Sequence, residues 1–304
     1  MNHTIYIATL AVVFSLASVT GAQADKSGDS ITPANLKVAD SAETQIITTR
    51  DGSELYGRIV AIVADTVEFE TDFAKVSIAI SNIETVRIVS TENIRDGRYW
   101  FPNPNCTRLY FAPTARMLKQ GEGYFADYYL FFPSLTWGIT DYISFGGGMS
   151  LFPGIGFGNQ LFYFTPKVGV SAGKDVSFAI GALIASIPTE GFDDDDDRST
   201  LGIGYGVWTY GSPERSVTCG LGYGFSEGKL ADKPMVMAGF DYRISRRSAF
   251  VSENWMIPGV DGILISYGAR FFGEGLSIDV AFVGRVGEKM VFPGVPLIDF
   301  VINF

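Results

Sequence analysis

The chain closes on Pro296-Leu297-Ile298-Asp299-Phe300-Val301-Ile302-Asn303-Phe304. In an extended strand, successive side chains point to opposite faces. Ile298, Phe300, Ile302 and Phe304 then share one apolar, aromatic face, and Asp299, Val301 and Asn303 share a mixed one. Such a strand suits a wall with oil on one side and a charge-tolerant interior on the other. As the last strand it would close the wall by pairing with the first, so everything upstream is read from it.

Composition agrees with a wall of this kind. Only 18% of the 304 residues are charged, 14% are aromatic, and 35 are glycine. A water-soluble globule carries more charge and fewer aromatics. After the N-terminus no stretch stays apolar for the roughly 18 residues that a spanning helix needs. Apolar residues dispersed in alternating pieces fit a closed ladder, which satisfies strand backbones in lipid. On these residues the terminal strand resembles the closing strand of bacterial outer-membrane β-barrel proteins. The resemblance implies an outer-membrane destination among lipid. It also implies that Ile298, Phe300, Ile302 and Phe304 form an assembly signal read by the barrel-assembly machinery.

The N-terminus is read as a secretory signal over residues 1–24. Ile5 to Ala17 is its apolar run and Ala22-Gln23-Ala24 its small-x-small cleavage site, although no Lys or Arg precedes the run. No Cys follows the run, which argues against a lipoprotein. The formal net charge of −10 disfavours phosphate backbones, so no nucleic-acid partner is expected. The single histidine, His3, lies inside the signal. Its loss removes Ser-His catalysis, His-ligated metals and His proton switching, and no catalytic residue or cofactor is expected. Cys106 and Cys219 would permit a disulfide in an oxidising compartment. Cys219 shares an outward face with Val217, Leu221 and Tyr223 while Cys106 precedes the barrel, so pairing is not expected.

Residues 25–42 are small and polar and read as a flexible leader. Residues 43–92 then carry five short runs rich in Ile and Val with Asp, Gly and Asn at the breaks, a small all-β domain. Asp51, Gly52, Leu55, Gly57 and Ile59 give this stretch a pattern that resembles Sm-like and SH3-like small barrels. Sm-like proteins bind RNA, which an acidic, exported segment does not suit. A periplasmic protein partner or a peptidoglycan-side contact fits better, beside the plainer reading of a folded spacer. Residues 93–107 read as a linker whose Tyr99, Trp100 and Phe101 meet the membrane interface or pack on the small domain.

From residue 108 to 304 the pattern is an antiparallel up-and-down transmembrane β-barrel of about twelve strands. The first two are expected at Arg108–Arg116 and, as a single strand, Gly123–Gly138; ten more follow, ending at Pro296–Phe304. An even count keeps both ends of the barrel on one side. Connections alternate in length: 140–141, 173–175, 212–214, 245–247 and 273–275 are short, and 117–122, 153–159, 188–199, 226–233, 258–261 and 287–295 are mostly longer. Bacterial barrels have short periplasmic turns and long external loops, so the short set is placed in the periplasm with the small domain.

Two-residue periodicity sorts the faces. Ile263, Ile265, Tyr267, Ala269 and Phe271 oppose Ser266, Gly268 and Arg270; Ile203, Tyr205 and Val207 are read as outward against Gly202, Gly204 and Gly206. The interior charges are then Arg108, Arg116, Lys167, Asp241, Arg243, Glu253, Arg270, Asp279, Arg285 and Asp299. Pro113, Pro133 and Pro166 fall inside expected strands, where a missing N–H predicts bulges or a broken ladder. Glu253 and Asn254 are adjacent, so one must face outward or sit at the rim.

The interior charges admit two readings, a polar lumen that conducts solutes and a plug of paired Arg and Asp/Glu. Mixed sign favours a filled or narrowly open barrel. Asp193, Asp194, Asp195, Asp196 and Asp197 offer hard oxygen ligands for a divalent cation but without EF-hand spacing, and read better as a solvated loop. Function is narrowed to a porin-like channel or transporter for small solutes. The alternative is an interaction protein whose barrel anchors the small domain, and a His-independent lipid-modifying enzyme is the weakest reading.

Overall fold

The structure is a computed structural model and describes residues 35–38, 43–188, 198–286 and 292–304. The expected signal and the Asp193–Asp197 run lie outside the described residues. The described chain folds as a five-stranded antiparallel sheet followed by a closed twelve-stranded antiparallel barrel.

Strands β1 (Glu43–Thr49), β2 (Glu54–Val63), β3 (Thr66–Glu70), β4 (Lys75–Ala79) and β5 (Ile83–Ser90) form the small sheet in the order β4-β3-β2-β1-β5. Alternation places Ile47, Ile59, Val67, Phe69, Ile78, Ile80 and Ile83 in one core. The β1–β2 turn is fixed locally: Thr49 Oγ1 and the Ser53 N–H both donate to the Asp51 carboxylate. Those bonds, the one from Thr49 foremost, hold its pKa below the usual value. Gly57 is a close-approach site, because a Cβ there would run into the Glu70 carbonyl.

A minimal hairpin, β6 (Ile94–Arg95) and β7 (Arg98–Tyr99), leads to the barrel. The wall begins with β8 (Gly123–Tyr128), β9 (Phe132–Thr140), β10 (Ile143–Met149), β11 (Phe162–Ser171), β12 (Val176–Pro188) and β13 (Arg198–Ser212). It continues with β14 (Arg215–Ser226), the two-residue β15 (Lys229–Leu230), β16 (Met235–Ser245), β17 (Ser248–Met256), β18 (Ile263–Phe272), β19 (Leu276–Val286) and β20 (Val295–Asn303). β15 pairs only with the end of β14; the other twelve form the wall, each pairing with the next along the chain, and β20 closes on β8 through Val301↔Ala126 and Ile302↔Phe125. The backbones of Gly123 and Phe304 exchange two bonds at that seam, and Phe304 packs edge-on against Trp137.

Twelve strands are present, but not the expected twelve. Residues 108–116 are not wall; they lie inside the barrel. The stretch 123–138 is two strands, β8 and β9, joined by a turn in which Tyr129 (φ 56) and Leu130 (φ 65) both adopt left-handed backbone. Three residues, 129–131, make the connection, and left-handed backbone at such positions ordinarily recruits Asn and Gly. The stretch 117–122, expected as a long loop, sits at the short-turn end: Gln120 N–H donates to Asp141 Oδ1 at 2.9 Å and Gly138 N–H to the Glu122 carbonyl. Short turns at 141–142, 172–175, 213–214, 246–247 and 273–275 mark that end, and the connections at the opposite end are mostly longer.

The outward face is apolar over its middle, with Leu135, Phe145, Phe164, Val168, Ile180, Val217, Leu221, Val236, Val280 and Ile298 all exposed. Among the described residues, outward charge occurs only near strand ends, at Asp127, Arg198 and Arg215. Trp137, Tyr142, Trp208, Tyr210, Tyr242, Phe271 and Phe304 ring the short-turn end. In β13 the expected phase is inverted. Val207 and Thr209 are buried inside, and Gly202, Gly204 and Gly206 share the outward face with Trp208 and Tyr210. The two large aromatics sit in the interfacial ring, where amphipathic rings are favoured, and this decides the phase.

Prolines behave as their chemistry requires. Pro166 in β11 leaves the β11–β12 ladder without pairs between Phe164↔Ile184 and Lys167↔Gly181. Pro133 is at the start of β9, and Pro113 belongs to the internal segment. Glu253 turns inward, and Asn254 turns outward with its amide donating to the Ala238 carbonyl and Ser252 Oγ.

Candidate functional site: a plugged lumen

The lumen is occupied by residues 101–118, which enter from the short-turn end, fold back at 109–112 and return to β8. Phe101 is buried against Phe272 and Ala249, with Arg243 over its ring and that of Trp100. The aromatic trio therefore caps the mouth of the barrel, rather than meeting the membrane interface or packing on the small sheet alone. Arg108 and Pro113 form an isolated bridge, and Leu109 N–H donates to the Ala112 carbonyl, which closes the tip.

The wall grips this segment mainly through its backbone. Glu253 Oε2 accepts the N–H groups of Tyr110, Phe111 and Ala112, each at 2.9 Å, while Oε1 accepts Trp255 Nε1–H at 2.7 Å. Arg270, fully buried, donates to the carbonyls of Asn105 (3.0 Å) and Leu109 (2.6 Å) and holds Asp279 with two bonds of 2.7 Å. Tyr110 Oη donates to the Val251 carbonyl, and Thr209 Oγ1 accepts the Ala115 N–H. A charged side chain on an otherwise apolar wall would be costly; here each satisfies backbone groups that the buried tip cannot give to water.

A charge network links wall and plug. Arg108, on the plug, pairs with Asp299 and lies 3.7 Å from Asp279. Arg270 reaches Asp241 at 3.2 Å, and Asn103 Nδ2 donates to the same carboxylate. Arg243 pairs with Glu214 at 2.8 Å. Arg116, also on the plug, donates to the Gly211 carbonyl. Of the ten charges expected inside, Arg108 and Arg116 thus belong to the plug, and Lys167, Asp241, Arg243, Glu253, Arg270, Asp279 and Asp299 are buried on the wall. Arg285 is half-buried near the long-loop end. Asn103, Asn105 and Glu214 join the network unannounced by the sequence, because they lie in a linker and a turn.

Small residues on the wall make room for the plug. A Cβ at Gly169 would fall 2.8 Å from Met117 Sδ, and one at Gly239 would overlap Leu109. Glycine here marks where another segment presses on the strand.

The plug leaves one side of the lumen unfilled. Between it and strands β8–β13 lies a cavity of about 460 Å³. It runs from Tyr129 and Phe132 near the long loops to Leu118 and Lys167 nearer the short turns. Tyr124, Tyr128, Tyr163 and Tyr205 supply much of its wall. Tyr205 is inside because of the inverted phase of β13, and it covers Gly181 on the neighbouring strand.

Cys106 and Cys219 are both free, one in the lumen segment and one on the outward face. Among the described residues, no cluster of His, Cys, Asp and Glu could hold a metal ion.

No protein-family profile matches the chain, and no curated protein matches it. Solved structures that match include OmpT, an outer-membrane protein of Vibrio cholerae. Its loop L8 deletion mutant is 9% identical, over 86% of this chain and 96% of that chain, with a TM-score of 0.32. Its outer-membrane expressed form is 11% identical, over 88% of this chain and 98% of that chain, with a TM-score of 0.30. At that distance nothing about activity passes from those barrels to this one.

Proposed function

We propose that the protein is a bacterial outer-membrane barrel providing a narrow, plugged passage for small solutes, with the short turns and the small sheet in the periplasm. Membrane residence is supported by the outward face, apolar over its middle, ringed by aromatics at the short-turn end and charged only near strand ends. The observation that carries the passage reading is the partial filling of the lumen. A plug held by hydrogen bonds lies beside an open cavity of about 460 Å³, whereas a purely structural barrel needs no such space.

The test is conductance in planar bilayers, with the full chain and with Glu253→Ala combined with Arg270→Ala. The full chain should be closed or pass rare small currents, and the double variant should conduct more. Heat-modifiable migration on a gel establishes that each is folded. A folded double variant that stays silent sinks the passage reading.

One observation favours a second reading, that of an anchor. Arg87 of β5 holds Glu274, in the turn between β18 and β19, through bonds of 2.8 and 2.7 Å. That contact would present the small sheet at a fixed place to a periplasmic protein partner. A silent barrel whose deletion of residues 43–92 abolishes a partner pull-down would support it.

A further inference from the structure

We infer that the lumen cavity is a binding site for a monoanionic amphiphile, a carboxylate headgroup on an apolar or aromatic body. The inference rests on the passage reading only for which solute would travel; binding is measured without transport.

Lys167 and Arg108 line the cavity, and no acidic side chain does. Arg108 is compensated by Asp299. Lys167 is 92% buried, and its ammonium is held by three plug carbonyls, of Arg116 at 2.8 Å, Thr114 at 3.3 Å and Thr107 at 3.4 Å. Among the described residues no carboxylate lies within ion-pair distance of it. A buried cation surrounded by neutral carbonyls leaves a positive potential that an incoming anion would complete.

A second observation points to the same end of the cavity. Thr107, next to Arg108 and also on the lining, is 93% buried, and its Oγ1 has no hydrogen-bond partner. A buried hydroxyl is seldom left without one. A carboxylate placed between Thr107 and Lys167 would accept from the hydroxyl and take over an ammonium N–H from one of the two longer carbonyl contacts, at 3.3 and 3.4 Å. Above them the walls carry no charge: Tyr163, Tyr205, Phe132 and Leu183 present rings and methyl groups, interspersed with the hydroxyls of Ser134, Thr136 and Thr165. The volume, about 460 Å³, is in the range of sites for drug-sized ligands. A cationic floor below an uncharged, largely aromatic shaft suits an amphiphile better than a free inorganic anion.

Two sources share this chemistry, soluble aromatic acids and free fatty acids. Equilibrium dialysis of the full-length barrel in nanodiscs, with 4-phenylbutyrate and with dodecanoate, separates them, and 4-phenylbutanol and dodecanol serve as neutral controls. At least one acid should bind better than its alcohol. Lys167→Met should weaken that acid at least about tenfold while leaving the alcohol within a few-fold, as expected for a lost charge-assisted bond. Because Lys167 also touches the plug, Thr136→Trp gives an independent reading: it fills the shaft without removing charge and should exclude acid and alcohol alike. Equal binding of acid and alcohol, or acid binding untouched by either substitution, overturns the inference. Failure of conductance with binding intact overturns only the passage reading.

Discussion

Glu253→Gln isolates what holds the plug. One carboxylate oxygen serves three N–H donors at 2.9 Å and the other serves Trp255 Nε1–H at 2.7 Å, all at a side chain with no exposed surface. Bonds to a charged acceptor contribute roughly 1 kcal/mol more than bonds to a neutral one, so the three together lose about 3 kcal/mol. The amide NH2 must also face either Trp255 or the tip, donor against donor, at a cost of roughly 1–3 kcal/mol. Burying an amide is cheaper than burying a carboxylate, which offsets part of this. A net change of about 3 kcal/mol in plug docking is about a hundredfold in its equilibrium. Amide hydrogen exchange in nanodiscs reads it directly. The amides of residues 110–112 should exchange about a hundredfold faster in the variant, and those of β18 and β19 should not change. Unaltered exchange at the tip would refute the assignment of Glu253 as the clamp.

Two further outcomes follow from the same geometry. Arg270→Met should destabilise the folded barrel by roughly 3–5 kcal/mol in urea unfolding, because Asp279 is left buried beside a lost partner, and adding Asp279→Asn should recover part of that loss. Cys219 should react with a bilayer-soluble maleimide and not with a charged, water-soluble one, while Cys106 reacts with neither until Glu253→Gln loosens the plug; labelling of Cys219 by the charged reagent, or of Cys106 by either reagent in the unaltered chain, would contradict their placement.

The wall was legible in the sequence because two-residue alternation and contrasting loop lengths both report on a membrane barrel. The plug was not, and the reason is physical. A strand with one face in the lumen and a segment buried within it carry similar residues, so Arg108, Leu109, Tyr110 and Arg116 fit either place. Only Pro113 objected, since a closed wall offers a proline no unpaired edge. The turn at Tyr129 and Leu130 was hidden because neither residue announces left-handed backbone. These two misreadings cancelled, one strand too many against one too few, and left the count at twelve. In β13 the run of alternate glycines allows either phase, and only the pull of Trp208 and Tyr210 to the rim selects one. The cavity depended on that choice, since it brought Tyr205 inside. The interior charges were recognisable as a set, but their partners were not. Glu253 and Arg270 bind main-chain atoms, and main-chain atoms leave no mark in a sequence.

The plug enters and leaves the barrel by the same mouth, with Phe101 at one foot and Lys119 at the other. It is therefore a bight of chain pushed into a ring, and no end is threaded through. The seam between β20 and β8 can close before or after the bight goes in, and the bight can be withdrawn without opening the seam. Assembly in the bilayer and occlusion of the lumen are thus separate events, free to occur in either order and, for the second, more than once.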